Sequence, residues 1–354
     1  MPKSTVFKAI AIVAAIAAAA TFSTSIASAA PKAPNKSDAR ASAATPTAPA
    51  KTNANASAGL DRAAFWTSDK INNAIAFDMV FDAGSTVGRR VPAARTVGGT
   101  TTSGTLGTRW TSGGLAAAAT GKVFFAIGTS YYQCSGSLIK DGKADRAIVL
   151  TAGHCVFDNA SRAYVTNFIF IPNYDLAAVA IGGCTTSTNC WAAARLSAND
   201  GFTSQTSFTS QATWFDWGFA TIFDLKNGLL PDGGNGVSAD GTNSFAIAFS
   251  AMSKGTSVYA FGYPAATPYN GQYLIYSNGS LFLDSNNANK TYGLASDMTG
   301  GASGGPWFSN FTATSGGAGA IAQSLNSYKY GTKKYMYGPI FNSATAATYN
   351  AAVN

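Results

Sequence analysis

From about residue 115 onward the chain is written in short apolar or alternating runs, each stopped by Gly, Asn, Asp or Ser. The runs fall at 123–127, 136–139, 147–150, 164–171, 219–223, 245–249, 257–263, 273–277 and 318–324. Runs of this length read as β-strands bounded by turns. No stretch shows sustained helical periodicity. Many short strands predict an all-β fold that closes on itself or packs two sheets, and the pattern alone leaves barrel and sandwich open. The segment is long enough for one large core or two small ones.

The N-terminal third is different. Lys3 and Lys8 precede an apolar stretch over 9–22, and Ala27-Ser28-Ala29 offers a small-x-small cleavage site. Residues 1–29 therefore read as a secretory signal peptide. The apolar stretch is shorter than the ~20 residues of a membrane span. The expectation is a secreted protein, in the medium or a periplasm, with no membrane contact after signal removal. Residues 30–59 are Ala, Pro, Lys, Asn, Ser and Thr without periodicity, a composition that predicts disorder. Residues 60–114 are mixed; 74–81 could form a strand. The whole of 30–114 reads as a leader, propeptide or spacer. Arg89-Arg90 and Arg95 are its candidate processing sites.

Charge separates the two parts. The chain carries +8 overall, yet residues 115–354 hold 12 Lys+Arg against 11 Asp. The basic excess sits in the leader, which argues against a nucleic-acid-binding face on the folded part. Glutamate is absent from the chain, and nothing in the sequence accounts for it. Four cysteines behind an export signal predict two disulfides, with three pairings open. Zinc is not expected, because the spacings are wrong and there is a single histidine.

That histidine lies in Ile148-Val149-Leu150-Thr151-Ala152-Gly153-His154-Cys155, a small-residue turn ending an apolar run. Downstream stands Thr299-Gly300-Gly301-Ala302-Ser303-Gly304-Gly305-Pro306-Trp307-Phe308. Glycines on both sides of a serine let the backbone turn tightly and aim N–H groups at one point, as an oxyanion site requires. With Cys134-Ser135-Gly136-Ser137-Leu138-Ile139, these blocks resemble the chymotrypsin-like serine peptidases, in their secreted bacterial branch related to the glutamyl endopeptidases. The resemblance covers roughly residues 115–345.

The resemblance implies two antiparallel β-barrels, over 115–235 and 236–354, with the active site in the cleft between them. It implies a Cys134–Cys155 bridge, leaving Cys184–Cys190. It makes Ser303 the nucleophile, His154 the base, and the amides of Gly301 and Ser303 the oxyanion hole. Asp216, in Trp214-Phe215-Asp216-Trp217-Gly218, is expected as the carboxylate that orients His154; Asp175 and Asp224 are rivals. Asp297, six residues before Ser303, occupies the position of a Lys/Arg pocket, or else a structural turn. Ser327 is expected on the wall strand that pairs with substrate, with Ser324 as the alternative register. Arg95-Thr96-Val97-Gly98-Gly99 is similar to an animal trypsin activation site, but Ala302 stands where the partner carboxylate would be.

The expected protein is thus a monomeric secreted serine endopeptidase acting on proteins or peptides without cofactor or metal. The alternative is a catalytically silent binding protein or adhesin on the same scaffold. An esterase would place its histidine after the serine, and none follows Ser303.

Overall fold

The computed structural model describes residues 50–54, 63–91, 106–174, 183–184, 189–237, 240–331 and 333–354. Residues 1–29, read above as a signal peptide, Asp175 and the 95–99 segment lie outside them. All of the described residues belong to the unit that spans Pro46–Asn354. Among them no helix is long and apolar enough to cross a membrane.

The fold is all-β, with the strands gathered into two barrels. The first is built on Thr120–Ile127, Ser130–Ile139, Ala147–Thr151, Thr166–Pro172, Arg195–Asn199 and Gly218–Ile222, joined in one nine-stranded sheet. The second centres on Ser257–Gly262, Ile275–Ser280, Pro306–Ser309 and Ile321–Leu325 in a six-stranded sheet, beside a smaller one containing Thr291–Ala295 and Tyr335–Pro339. Each predicted run contains or overlaps a strand. Strands 195–199, 291–295, 306–309 and 335–339 were not legible as runs, because Ser, Gly and Asn interrupt their apolar pattern and tertiary pairing supplies what propensity does not.

Three further differences lie outside the predicted runs. The 30–59 stretch, expected to be disordered, contains the strand Ala50–Ala54, which pairs antiparallel with Arg195–Asn199. Here an available sheet edge, not composition, decides the conformation. Thr108–Arg109, ahead of the expected boundary at 115, pairs with Ile275 and Tyr276. The chain also ends in a helix, Ser343–Val353, where no helical period was legible. Its buried face is Ala344, Thr345, Thr348, Ala352 and Val353, too small and mixed to stand out from the exposed face. Asn342 starts it with a capping box shared with Thr345. Thr348 Oγ1 then receives both Asn199 Nδ2 at 3.2 Å and Trp217 Nε1 at 3.1 Å, fixing the helix against the first barrel.

Both disulfides form, Cys134–Cys155 and Cys184–Cys190. The first closes a separation of 21 residues and ties the histidine turn to the strand beneath it. Cys134→Ser/Cys155→Ser should lower stability by about 3 kcal/mol, by loop-closure entropy. Urea denaturation would show the loss as a lower midpoint at unchanged slope.

A second stability prediction comes from Asp141, whose Oδ2 is buried with no hydrogen-bond partner among the described residues while Oδ1 accepts the Lys143 amide at 2.8 Å. Burial, with added repulsion from Asp240 and Asp232, raises its carboxyl from 3.8 to about 7. The folded state therefore holds a proton that the unfolded state has lost, so this group's contribution falls as pH rises from about 4 to 7 and is flat above. Asp141→Asn should raise the melting temperature by a few degrees at pH 8 and leave it unchanged at pH 4. Equal shifts at both pH values would count against the titration.

Candidate active site

His154 reaches its place through strand register. Ala147–Thr151 pairs antiparallel with Gly218–Ile222, Thr151 opposite Gly218. Beyond that pair the chains continue into the Gly153–Cys155 turn on one side and back through Trp217 to Asp216 on the other. The two side chains are thereby brought together. Asp216 Oδ2 lies 2.8 Å from His154 Nδ1, and Oδ1 accepts the His154 backbone N–H at 2.8 Å. Asp216 is fully buried. A buried carboxylate persists when its oxygens are satisfied, and the Ser327 hydroxyl supplies a third donor, to Oδ2. Gly153 and Gly218 make the approach possible: a Cβ on Gly153 would stand 3.0 Å from Asp216 Oδ1, and one on Gly218 2.5 Å from Val156 Cγ2.

Ser303 sits in the loop between Thr291–Ala295 and Pro306–Ser309. Its carbonyl accepts the Ser135 amide at 2.7 Å, and Ser135 Oγ donates to the Gly301 carbonyl at 2.8 Å. Thr151 Oγ1 donates in turn to the Ser135 carbonyl at 2.8 Å. The serine loop is thus anchored on the same strand that carries Cys134. Asn326, fully buried, clamps its other side: Nδ2 donates to Phe261 O at 2.8 Å and Ala302 O at 3.0 Å, and Oδ1 accepts Trp307 Nε1 at 2.7 Å. Gly301 and Gly304 have φ of +95° and +82°, where glycine is favoured.

His154 and Ser303 are only 3% and 5% exposed. What covers them is Phe77, from the segment ahead of the first barrel. Its ring stacks on the imidazole, centroids 5.3 Å apart. Its carbonyl oxygen receives the Gly301 N–H at 3.1 Å and the Ser303 hydroxyl at 3.3 Å. His154 Nε2 has no hydrogen-bond partner among the described residues. Beside Phe77, the Asp78 carboxyl is raised from 3.8 to about 6 by burial, against the pull of the Lys329 and His154 charges. A cavity of about 340 Å³ remains, lined by Phe77, Met79, Arg90, His154, Phe157 and Phe208 among others.

The structure does not gather every expected residue at one point. Asp297 accepts the Tyr269 hydroxyl at 2.5 Å, while its amide donates to Leu106 O at 3.2 Å. Lys329 Nζ donates to Met298 O at 2.9 Å, placing a cation next to that segment. Ser327 faces Asp216, whereas Ser324 Oγ donates to Pro339 O at 2.8 Å. Asp224 opens the loop after Gly218–Ile222, away from the turn that carries Asp216. Asn326 and Lys329 had no motif to announce them, and Ser135 stood in the cysteine block without a role of its own; their importance comes from contacts between distant segments. Near His154 the sulfurs of Cys134 and Cys155 are joined to each other, so they are not thiolate ligands for a metal.

No protein-family model matches the sequence, and no curated protein matches it. Solved structures do. The protease Anisep from Arthrobacter nicotinovorans is 34% identical with a TM-score of 0.53, covering 67% of this chain and 96% of its own. The thermostable serine protease AL20 from an extremophilic microorganism is 31% identical with a TM-score of 0.52, covering 68% and 98%.

Proposed function

This chain belongs to the chymotrypsin-like serine peptidases, and we propose that it hydrolyses peptide bonds through Ser303, His154 and Asp216. The observation that carries the assignment is the buried contact of Asp216 with both the ring and the backbone of His154. Asp216 fixes the tautomer with the proton on Nδ1, leaving Nε2 as the acceptor for the Ser303 proton. Ser303 then attacks the substrate carbonyl. The tetrahedral oxyanion is held by the amides of Gly301 and Ser303, the first of which already donates to a carbonyl oxygen. His154 protonates the leaving amine, and water repeats the cycle to release the acyl-enzyme.

The substrates are proteins or peptides. Two disulfides fit an oxidising compartment, in keeping with export of the protein. Asp297 remains the proposed base of a pocket for Lys or Arg, with the Tyr269 hydroxyl as the partner that a bound cation would join or displace. No observation favours the silent binding scaffold. The test is a proteome-derived peptide library incubated with processed protein and with Ser303→Ala. Cuts confined to the wild type establish the peptidase, and Lys or Arg before the cut assigns Asp297. Absence of Ser303-dependent cleavage would overturn the reading.

A further inference from the structure

We propose that residues 75–90 are a built-in inhibitor strand, which fills the peptide-binding cleft and silences Ser303 by occupying the oxyanion site with the Phe77 carbonyl. The proposal rests on the peptidase reading of Ser303, His154 and Asp216 and supplies the regulation of that same site.

The strand is held by main-chain pairing on both sides. Ile75–Ala76 runs parallel to the Ser130–Ile139 strand, Ile75 opposite Tyr132, and Phe77 N donates to Gln133 O at 3.0 Å. Met79–Phe81 then runs parallel to Lys329–Tyr330, and Gly331 N donates to Phe81 O at 3.1 Å. The chain turns back through Arg89–Arg90, which pairs with Met79–Phe81. An extended segment that adds itself to an exposed sheet edge is how such an edge takes a peptide. The edge next to Ser327 is therefore already in use by the chain itself.

Side chains lock this pairing. Phe77, Met79, Val80 and Phe81 are all buried. Phe81 packs on Phe208, Tyr328 and Tyr330. The Arg90 guanidinium lies 4.5 Å from the Phe77 ring centroid and pairs with the Asp158 carboxylate. Tethering adds to these contacts, since a linked segment meets its site at an effective concentration on the order of millimolar.

The geometry is that of an inhibitor, not a substrate. Attack requires Ser303 to pass its proton to His154 Nε2. Here the hydroxyl donates to the Phe77 carbonyl oxygen, and Nε2 has no partner among the described residues beneath the stacked phenyl ring. The proton path is broken while the oxyanion amide of Gly301 is occupied. The Phe77–Asp78 bond consequently stays uncut although it lies against the nucleophile.

The experiment is Ser303 labelling of the uncleaved full chain by a fluorophosphonate, followed by intact-mass spectrometry. Phe77→Ala/Arg90→Ala is compared with wild type, and amide exchange at Gly331 and Phe81 reports whether the strand is docked. Val80→Pro, which removes an N–H inside the paired strand, releases it independently should the double variant remain docked. Release should speed labelling at least ~10-fold, the equivalent of one lost contact of ordinary strength, and His154→Ala should abolish it. Equal and rapid labelling of wild type and released variants would overturn the inhibitor strand while leaving the peptidase reading intact. No labelling in variants shown to be released would overturn both.

Discussion

Asp216→Asn is expected to reduce kcat of the processed enzyme by about 10⁴-fold, with KM nearly unchanged. An amide keeps an acceptor for the His154 backbone N–H but can present an N–H to Nδ1, where the carboxylate now accepts. The imidazole would then carry its proton on Nε2 and could not take one from Ser303. The Ser327 hydroxyl, which donates to the same carboxylate oxygen, would also lose its ionised partner. Steady-state kinetics on a peptide found in the library screen gives the number. A loss below about 10²-fold would remove Asp216 from the triad. Circular dichroism should match the wild type, because the side-chain volume is preserved.

Gly304→Ala is expected to cost less in kcat but to lower stability as well, by a different route. Gly304 has φ +82°, and a Cβ there would lie 2.2 Å from Thr151 Oγ1, 2.5 Å from Ser135 O and 2.7 Å from Ala152 N. Two of those atoms are backbone of the strand and turn that hold Cys134 and His154, so they cannot swing aside. The Ser303 loop must move instead. A displacement near ~1 Å should cost about 10²-fold in kcat. Strain and overpacking together should remove about 2–4 kcal/mol of stability. Kinetics and thermal melting should report both losses in the same variant. A variant with wild-type kcat would show that the loop relaxes without moving its nucleophile.

The fold class was legible in the sequence because it is encoded locally, and so were the two turns that carry His154 and Ser303. Strand-length apolar runs broken by turn residues force an all-β chain, as the sheets over 120–222 and 257–339 bear out. His154 and Ser303 lie in small-residue turns whose glycines serve a backbone shape, and such a requirement is written in contiguous residues. The cysteine pairing followed the family resemblance, and the structure forms both bridges.

Other features could be decided only by tertiary structure. The Ser343–Val353 helix is fixed by hydrogen bonds from Asn199 and Trp217 to a threonine, partners far away in sequence. Asn326 is an ordinary polar residue until the Ala302 and Phe261 carbonyls converge on its amide. The segment around Phe77 shows the division most clearly. Residues 74–81 could be read as a strand from their apolar content, but a strand's partner is set by whichever sheet edge is open and within reach. The first barrel offers one edge at Tyr132 and the second another at Lys329, and Phe77 lies between them over His154 and Ser303. Local sequence determined that this segment extends; only the closed cleft determined where it docks.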